Sequence, residues 1–178
     1  MSIKYRRDLW KVINVPGNSA EIGVAEGFFS ADILGWRISF PKHYMVDRWR
    51  CTPLVRGDSA QPQAWHDKNL ADAQARVAPF GDRAVFLRGD SVLMADYVPD
   101  QSLALVYIDG DHSYAGVMGD ILAWLPKVQK GGIIAFHDYE NPSYGVKKAV
   151  NEFVARNAHY LHLLSEDKPE DAGAYFVC

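Results

Sequence analysis

Short apolar runs alternate with amphipathic segments along most of the chain. Residues 4–14 read as an opening helix, and residues 19–23 as a strand that ends in a glycine turn. A helix starts at 27–34, and a short strand at 43–46 ends at Asp47. Spaced Ala and Leu predict a helix over 64–77, stopped by Pro79-Phe80-Gly81. A strand over 84–87 closes on Gly89-Asp90-Ser91. Residues 103–108 are apolar at every position and read as a strand buried on both faces. A helix over 117–125 places Val117, Ile121, Leu122 and Leu125 on one side, with Pro126 as its stop. Gly131-Gly132 turns the chain into a strand over 133–136. Val146, Val150, Phe153 and Val154 give the helix over 146–155 a core face, and segments 159–164 and 174–177 read as a closing strand pair. Residues 52–63 gather Pro53, Gly57, Asp58, Ser59 and Pro62 and read as a flexible loop, either at the rim of a site or as a tolerated insertion.

This strand–helix rhythm predicts an α/β fold: a mostly parallel sheet with helices on both faces and right-handed crossovers. In such sheets a ligand sits beyond the carboxyl ends of the strands. The 178 residues form one domain, 1–178, on this reading, with 48% hydrophobic and 23% charged residues. The net charge of −3 gives no sign of a nucleic-acid partner, and no apolar run reaches the roughly 20 residues of a membrane helix. Cys51 and Cys178 form neither a metal pair nor a disulfide framework, so a reducing cytoplasm is the expected location.

The polar residues that follow each strand are the candidate chemistry. Glu21-x-Gly23-x-x-x-Gly27 lets backbone approach a ligand, but it lacks the tight pyrophosphate turn of dinucleotide sites, which disfavours NAD. Asp47 is placed for ribose hydroxyls. Asp90 and Ser91 reach an adenine amino group, cap the next helix, or both. Asp109-Gly110-Asp111-His112 and His137-Asp138 follow strands expected to be neighbours, so their side chains converge on one crevice suited to a divalent cation. Trp49 is a candidate wall of the pocket; Trp10, Trp36, Trp65 and Trp124 read as packing residues, and His43, His66, His159 and His162 as structural or surface residues.

The segment Tyr107-Ile108-Asp109-Gly110-Asp111-His112-Ser113-Tyr114, with Asp120, Trp124-Leu125-Pro126, Gly131-Gly132-Ile133-Ile134 and His137-Asp138-Tyr139, resembles the class I S-adenosylmethionine-dependent methyltransferases. More narrowly it is similar to the macrocin- and mycinamicin-type O-methyltransferases and the cephalosporin-hydroxylase-like proteins. The resemblance implies a Rossmann-like sheet of seven strands with the last antiparallel. It implies S-adenosyl-L-methionine as cofactor, with Gly23, Gly27 and Ser30 at the methionine portion, Glu21 ordering the turn, Asp47 at the ribose, and Asp90 with Ser91 at the adenine. It further implies a divalent cation, magnesium first, on Asp109, His137 and Asp138, with His112 as catalytic base. Two positions depart from the family: His137 stands where an acidic ligand is expected, and Tyr139 where catechol-type relatives carry asparagine.

The expected activity is O-methylation of a small molecule, with a sugar or natural-product hydroxyl first and a phenol or catechol second. A cofactor-binding accessory protein without transferase activity is the alternative. A metal-dependent hydroxylase using His112, His137 and Asp138 is a further one. Few residues remain for an acceptor cap, which leaves the acceptor site open or completed by a second subunit, the latter implying a homodimer.

Overall fold

The computed structural model describes residues 3–52, 58–165 and 172–178. The expected loop over 52–63 therefore lies partly outside the described residues; Asp58–Ala60 forms a single 3₁₀ turn.

Seven strands form one sheet. They are β1 (Asn18–Ile22), β2 (His43–Asp47), β3 (Ala84–Arg88), β4 (Leu103–Ile108), β5 (Val128–Phe136), β6 (Leu161–Leu163) and β7 (Ala174–Val177). Their order is β3-β2-β1-β4-β5-β7-β6. The pairs among β1 to β5 are parallel, and β7 runs antiparallel to both of its neighbours. The helices are α1 (Phe28–Gly35), α2 (Gln63–Val77), α3 (Ser91–Met94), α4 (Tyr114–Trp124) and α5 (Val146–Asn157).

Period-two alternation divides β4 between two cores. Val106 and Ile108 pack with Ile134 and Phe136 under Val117, Ile121 and Trp124 of α4 and Val150 and Phe153 of α5. Leu105 and Tyr107 face the other way, onto Phe29 and Ile33 of α1 and onto Leu9 and Ile13. A third cluster seats α2, through Ala73 and Val77, against Met45 and Trp49. Burial on both faces explains why β4 is apolar throughout.

Several expected boundaries are corrected. The opening helix is only a 3₁₀ turn over Arg6–Lys11, with Leu9 as its buried anchor. Gly131 and Gly132 lie inside β5 rather than before it; the register against β4 shifts between Leu103 and Leu105, and Gly131, at φ 84°, takes up the irregularity. Leu122 does not face the core: it is 60% exposed, and Trp124 fills the place beneath α4. The helix expected after Asp90 is α3, a single short turn over Ser91–Met94.

The register aligns the strand ends. Ile22 pairs with Val46 and with Ile108, Asp47 with Arg88, and Ile108 with Phe136. The residues after them therefore share one rim of the sheet. The strand order reverses between β1 and β4, the switch point at which open α/β sheets bind ligands.

Candidate active site

The turn after β1 is built by glycine and by two residues from β2. Gly23 adopts φ +86°, and a Cβ there would lie 2.1 Å from the backbone oxygen of Asp109, so only glycine fits. Its N–H donates to the Val46 carbonyl at 2.8 Å, and Gly27, at φ +75°, closes the turn into α1. Asp47 sits against the turn. Its Oδ2 accepts from the N–H groups of Val24 and Ala25 at 2.9 Å each, and its Oδ1 from that of Trp49 at 2.8 Å. Trp49 is buried, and its indole N–H donates to the Ala25 carbonyl at 2.9 Å. The expected pocket wall is thus a strut under the turn, and Asp47, rather than Glu21, orders that turn.

Glu21 is buried below it. Ser30 of α1 donates its hydroxyl to the Glu21 carboxyl and stands 3.1 Å from His43 Nε2; Nδ1 of that ring is 2.9 Å from Ser19 Oγ. This chain of four polar side chains ties α1 to β1 and β2. Burial pushes the Glu21 carboxyl up to about 8; the Ser30 hydroxyl partly opposes this, and the Asp109 and Asp47 charges add to it. Burial, helped by Arg83, takes His43 down to about 3. At neutral pH both groups are held uncharged. Ser30 has no exposed surface, so its hydroxyl serves the fold.

At the next corner Asp90 caps α3, accepting from the Val92 N–H at 3.1 Å. Ser91 donates to Asp120 of α4 at 2.5 Å, and the Trp124 indole N–H donates to the Ser91 carbonyl at 3.2 Å. Burial raises the Asp120 carboxyl to about 6; the Ser91 hydroxyl opposes this, and Asp90 and Asp111 add to it. Asp90 remains open at the rim, with Ser91 fixed behind it.

The ends of β4 and β5 carry the densest chemistry. Asp109, His112, His137 and Asp138 each present a ligand-capable atom, all within 4.8 Å of one another. His112 Nε2 lies 3.2 Å from both Asp109 Oδ1 and Asp138 Oδ2, and its pair with Asp109 has hydrogen-bond alignment. His137 Nδ1 lies 3.2 Å from Asp109 Oδ1 and from Asp138 Oδ1. That nitrogen is buried and makes no aligned hydrogen bond.

Burial opposes ionisation of Asp109, but the two imidazoles outweigh it and hold the carboxyl below its ordinary value. Burial likewise opposes the charged form of His137, yet Asp109 and Asp138 push it up to about 10.

Neighbouring residues fix this group. Ser113 caps α4, accepting from the Gly116 N–H at 3.1 Å. The Gly145 N–H donates to the His112 carbonyl at 2.8 Å, and the Tyr144 ring stacks on the His112 imidazole at 4.6 Å and 18°. Tyr144, which sequence reasoning missed, is 44% exposed at the mouth of the site. Tyr139 points away, donating its hydroxyl to Asn151 at 2.6 Å, so it takes no part in the cluster.

Two imidazole nitrogens and two carboxylates suit a divalent cation, and the unpaired buried Nδ1 of His137 fits a ligand atom whose partner is an ion. Gly23, Asp47, Asp90 and Asp109 follow the strands on the adjoining rim at the switch point, the place where open α/β sheets bind ligands.

A seven-stranded sheet in this order, with an antiparallel seventh strand and a glycine turn followed by strand-end acids, defines a class I methyltransferase fold. The chain belongs to the family described as Methyltransferase domain, which its residues 20–139 match.

Solved structures carry the same fold. The O-methyltransferase NovP has a TM-score of 0.67 at 23% identity, covering 96% of this chain and 76% of that one. CalS11, a TDP-rhamnose 3′-O-methyltransferase of calicheamicin biosynthesis, has 0.67 at 22%, covering 95% and 74%. A Bacillus cereus O-methyltransferase in complex with SAH (S-adenosylhomocysteine) has 0.67 at 14%, covering 97% and 79%.

Among curated sequences, the uncharacterized protein y4gI of Sinorhizobium fredii is 36% identical over 50 residues, 28% of this chain and 6% of that protein. The uncharacterized protein R132 of Acanthamoeba polyphaga mimivirus is 39% identical over 62 residues, 34% of this chain and 28% of that protein. The matched stretches span well under two thirds of either relative. Among the described residues no helix is long and apolar enough to cross a membrane.

Proposed function

We propose that this protein transfers the methyl group of S-adenosylmethionine to a hydroxyl of a small molecule, a sugar or natural product before a phenol. One observation carries the reading: the glycine turn and the His112–Asp109 pair meet at the switch point. There the Asp109 N–H donates to the Ile22 carbonyl at 2.7 Å, so methyl donor and proton acceptor share one backbone frame. NovP and CalS11, described as O-methyltransferases, support the choice of a hydroxyl.

In this reading Gly23 and Gly27 admit the methionine portion of the cofactor, Asp47 and the turn it orders face the ribose, and Asp90 faces the adenine. Glu21, Ser30 and Ser91 act from behind, holding α1 and α3 in place. The sulfonium is already electrophilic, so the chain's work is alignment and proton removal. The acceptor oxygen attacks the methyl carbon as the carbon–sulfur bond breaks. The hydroxyl proton passes to Nδ1 of His112, and S-adenosylhomocysteine leaves. Asp109 and Asp138, each 3.2 Å from the other ring nitrogen, Nε2, stabilise the imidazolium. A divalent cation on Asp109, His137 and Asp138 would lower the pKa of the acceptor hydroxyl. The acceptor enters beside Tyr144.

The test is release of S-adenosylhomocysteine across a panel of sugars, glycosides and catechols, for the wild type and for His112→Ala. Turnover on at least one acceptor, falling by about a hundredfold or more in the variant, is expected. Turnover unchanged by the substitution would remove His112 from the reaction.

A further inference from the structure

We propose that His137 is an inner ligand of a cation held with Asp109 and Asp138, and that it turns the site away from magnesium toward the first-row ions from manganese to zinc. The inference deepens the proposed function, resting on its reading of this rim as the reacting end.

The two imidazoles of the cluster are not equivalent. His112 has a side chain 25% exposed, a hydrogen bond to Asp109 and an aromatic partner in Tyr144. A proton acceptor needs that access and that orientation. His137 is less exposed, at 15%, and its Nδ1 is closed to solvent, so no acceptor molecule reaches it. Two carboxylate oxygens stand 3.2 Å away, yet neither is aligned for a hydrogen bond. A buried ring nitrogen that faces two carboxylates without an aligned hydrogen bond is placed to take a ligand bond.

The spacing matches an ion. Two ligands each about 2.0–2.1 Å from one small cation, subtending 90° to 110°, lie about 2.8–3.4 Å apart. The His137–Asp109 and His137–Asp138 separations of 3.2 Å fall within that range.

The backbone is also arranged for it. Consecutive residues of an extended chain point to opposite sides. Asp138 instead adopts φ +53°, a left-handed conformation unfavourable for a residue with a Cβ, and this turn brings its carboxylate beside the ring of His137.

The ligand chemistry then selects the ion. Magnesium demands oxygen ligands and dehydrates reluctantly, whereas an imidazole with two carboxylates suits the later first-row divalent ions.

The full-length chain, stripped with a chelator, is titrated calorimetrically with manganese, zinc and magnesium. S-adenosylhomocysteine binding and the melting temperature are followed in parallel. Manganese and zinc are expected to bind the wild type about a hundredfold or more tighter than magnesium. His137→Gln should lower manganese and zinc affinity by about tenfold or more while leaving the melting temperature near that of the wild type. His137→Asp should bring magnesium to within about tenfold of manganese. With cobalt(II), the wild-type visible absorption band should change in His137→Gln. Equal binding of magnesium and manganese by the wild type, no binding of any ion, or wild-type zinc affinity in His137→Gln would overturn the inference. Loss of S-adenosylhomocysteine binding throughout would instead overturn the proposed function and leave the metal result standing.

Discussion

Replacing Glu21 by glutamine should leave the protein's stability almost unchanged below about pH 4.5 and raise it increasingly from there to about pH 8. The carboxyl is buried, with a folded-state value raised from 4.5 to about 8. Folded protein therefore keeps this proton where unfolded chain has lost it. Below about pH 4.5 both states are protonated and the site contributes its full stability. As pH rises through the window up to about 8, the unfolded state is favoured by about 1.4 kcal/mol per pH unit. Between pH 6.5 and 8 the wild type should thus lose about 2 kcal/mol from this group.

Glutamine is close in shape to the protonated acid, keeps an oxygen for the Ser30 hydroxyl, and cannot ionise. His43 runs the other way: lowered to about 3, it contributes stability that is lost as pH falls below its ordinary 6.5, and it is silent in the alkaline window. His137, raised to about 10, also loses stability as pH rises from 6.5, but it does so equally in both proteins. The assay is urea denaturation of wild type and Glu21→Gln at pH 4.5, 6.5, 8 and 9, compared as the difference between them. A gap that widens by about 2 kcal/mol from pH 6.5 to 8 is expected. A gap constant across that window would refute the claim that Glu21 is buried uncharged.

Other substitutions probe the rim. Gly23→Ala places a Cβ 2.1 Å from the Asp109 backbone oxygen at φ +86°, and should cost about 3 kcal/mol or more or abolish folding, read from thermal melts. Asp47→Ala strips the acceptors from three backbone N–H groups and should lower stability by about 2 kcal/mol, with a matching loss of S-adenosylhomocysteine affinity by calorimetry. Tyr144→Ala should move the His112 ring-proton resonances downfield by removing the stacked ring, while Tyr144→Phe leaves them in place. Unchanged His112 resonances in the alanine variant would mean that the stack does not persist in solution.

What was legible in the sequence follows physical lines. β4 is readable because burial on both faces forbids polar residues, and the meeting of Asp109 with Asp138 follows from two apolar strands lying side by side. The glycine turn is readable because left-handed backbone there requires glycine. Longer-range partnerships are not. His43 and Ser19 look like ordinary strand residues until β1 and β2 pair and α1 lays Ser30 over them. Trp49 is a candidate pocket wall in the sequence, and its bond to the Ala25 carbonyl shows it bracing the turn instead. Tyr144 sits in a loop without periodicity, and its contact with His112 depends on the backbone bond at Gly145. The opening helix is not formed; a 3₁₀ turn over Arg6–Lys11 stands in its place, with Leu9 buried within it.

The measurement that tests the central claim most directly is calorimetric titration of the folded, full-length chain with S-adenosylhomocysteine. Saturable one-to-one binding that Asp47→Ala weakens is the predicted result. A folded sample that binds no S-adenosylhomocysteine, with or without manganese or magnesium, would contradict it.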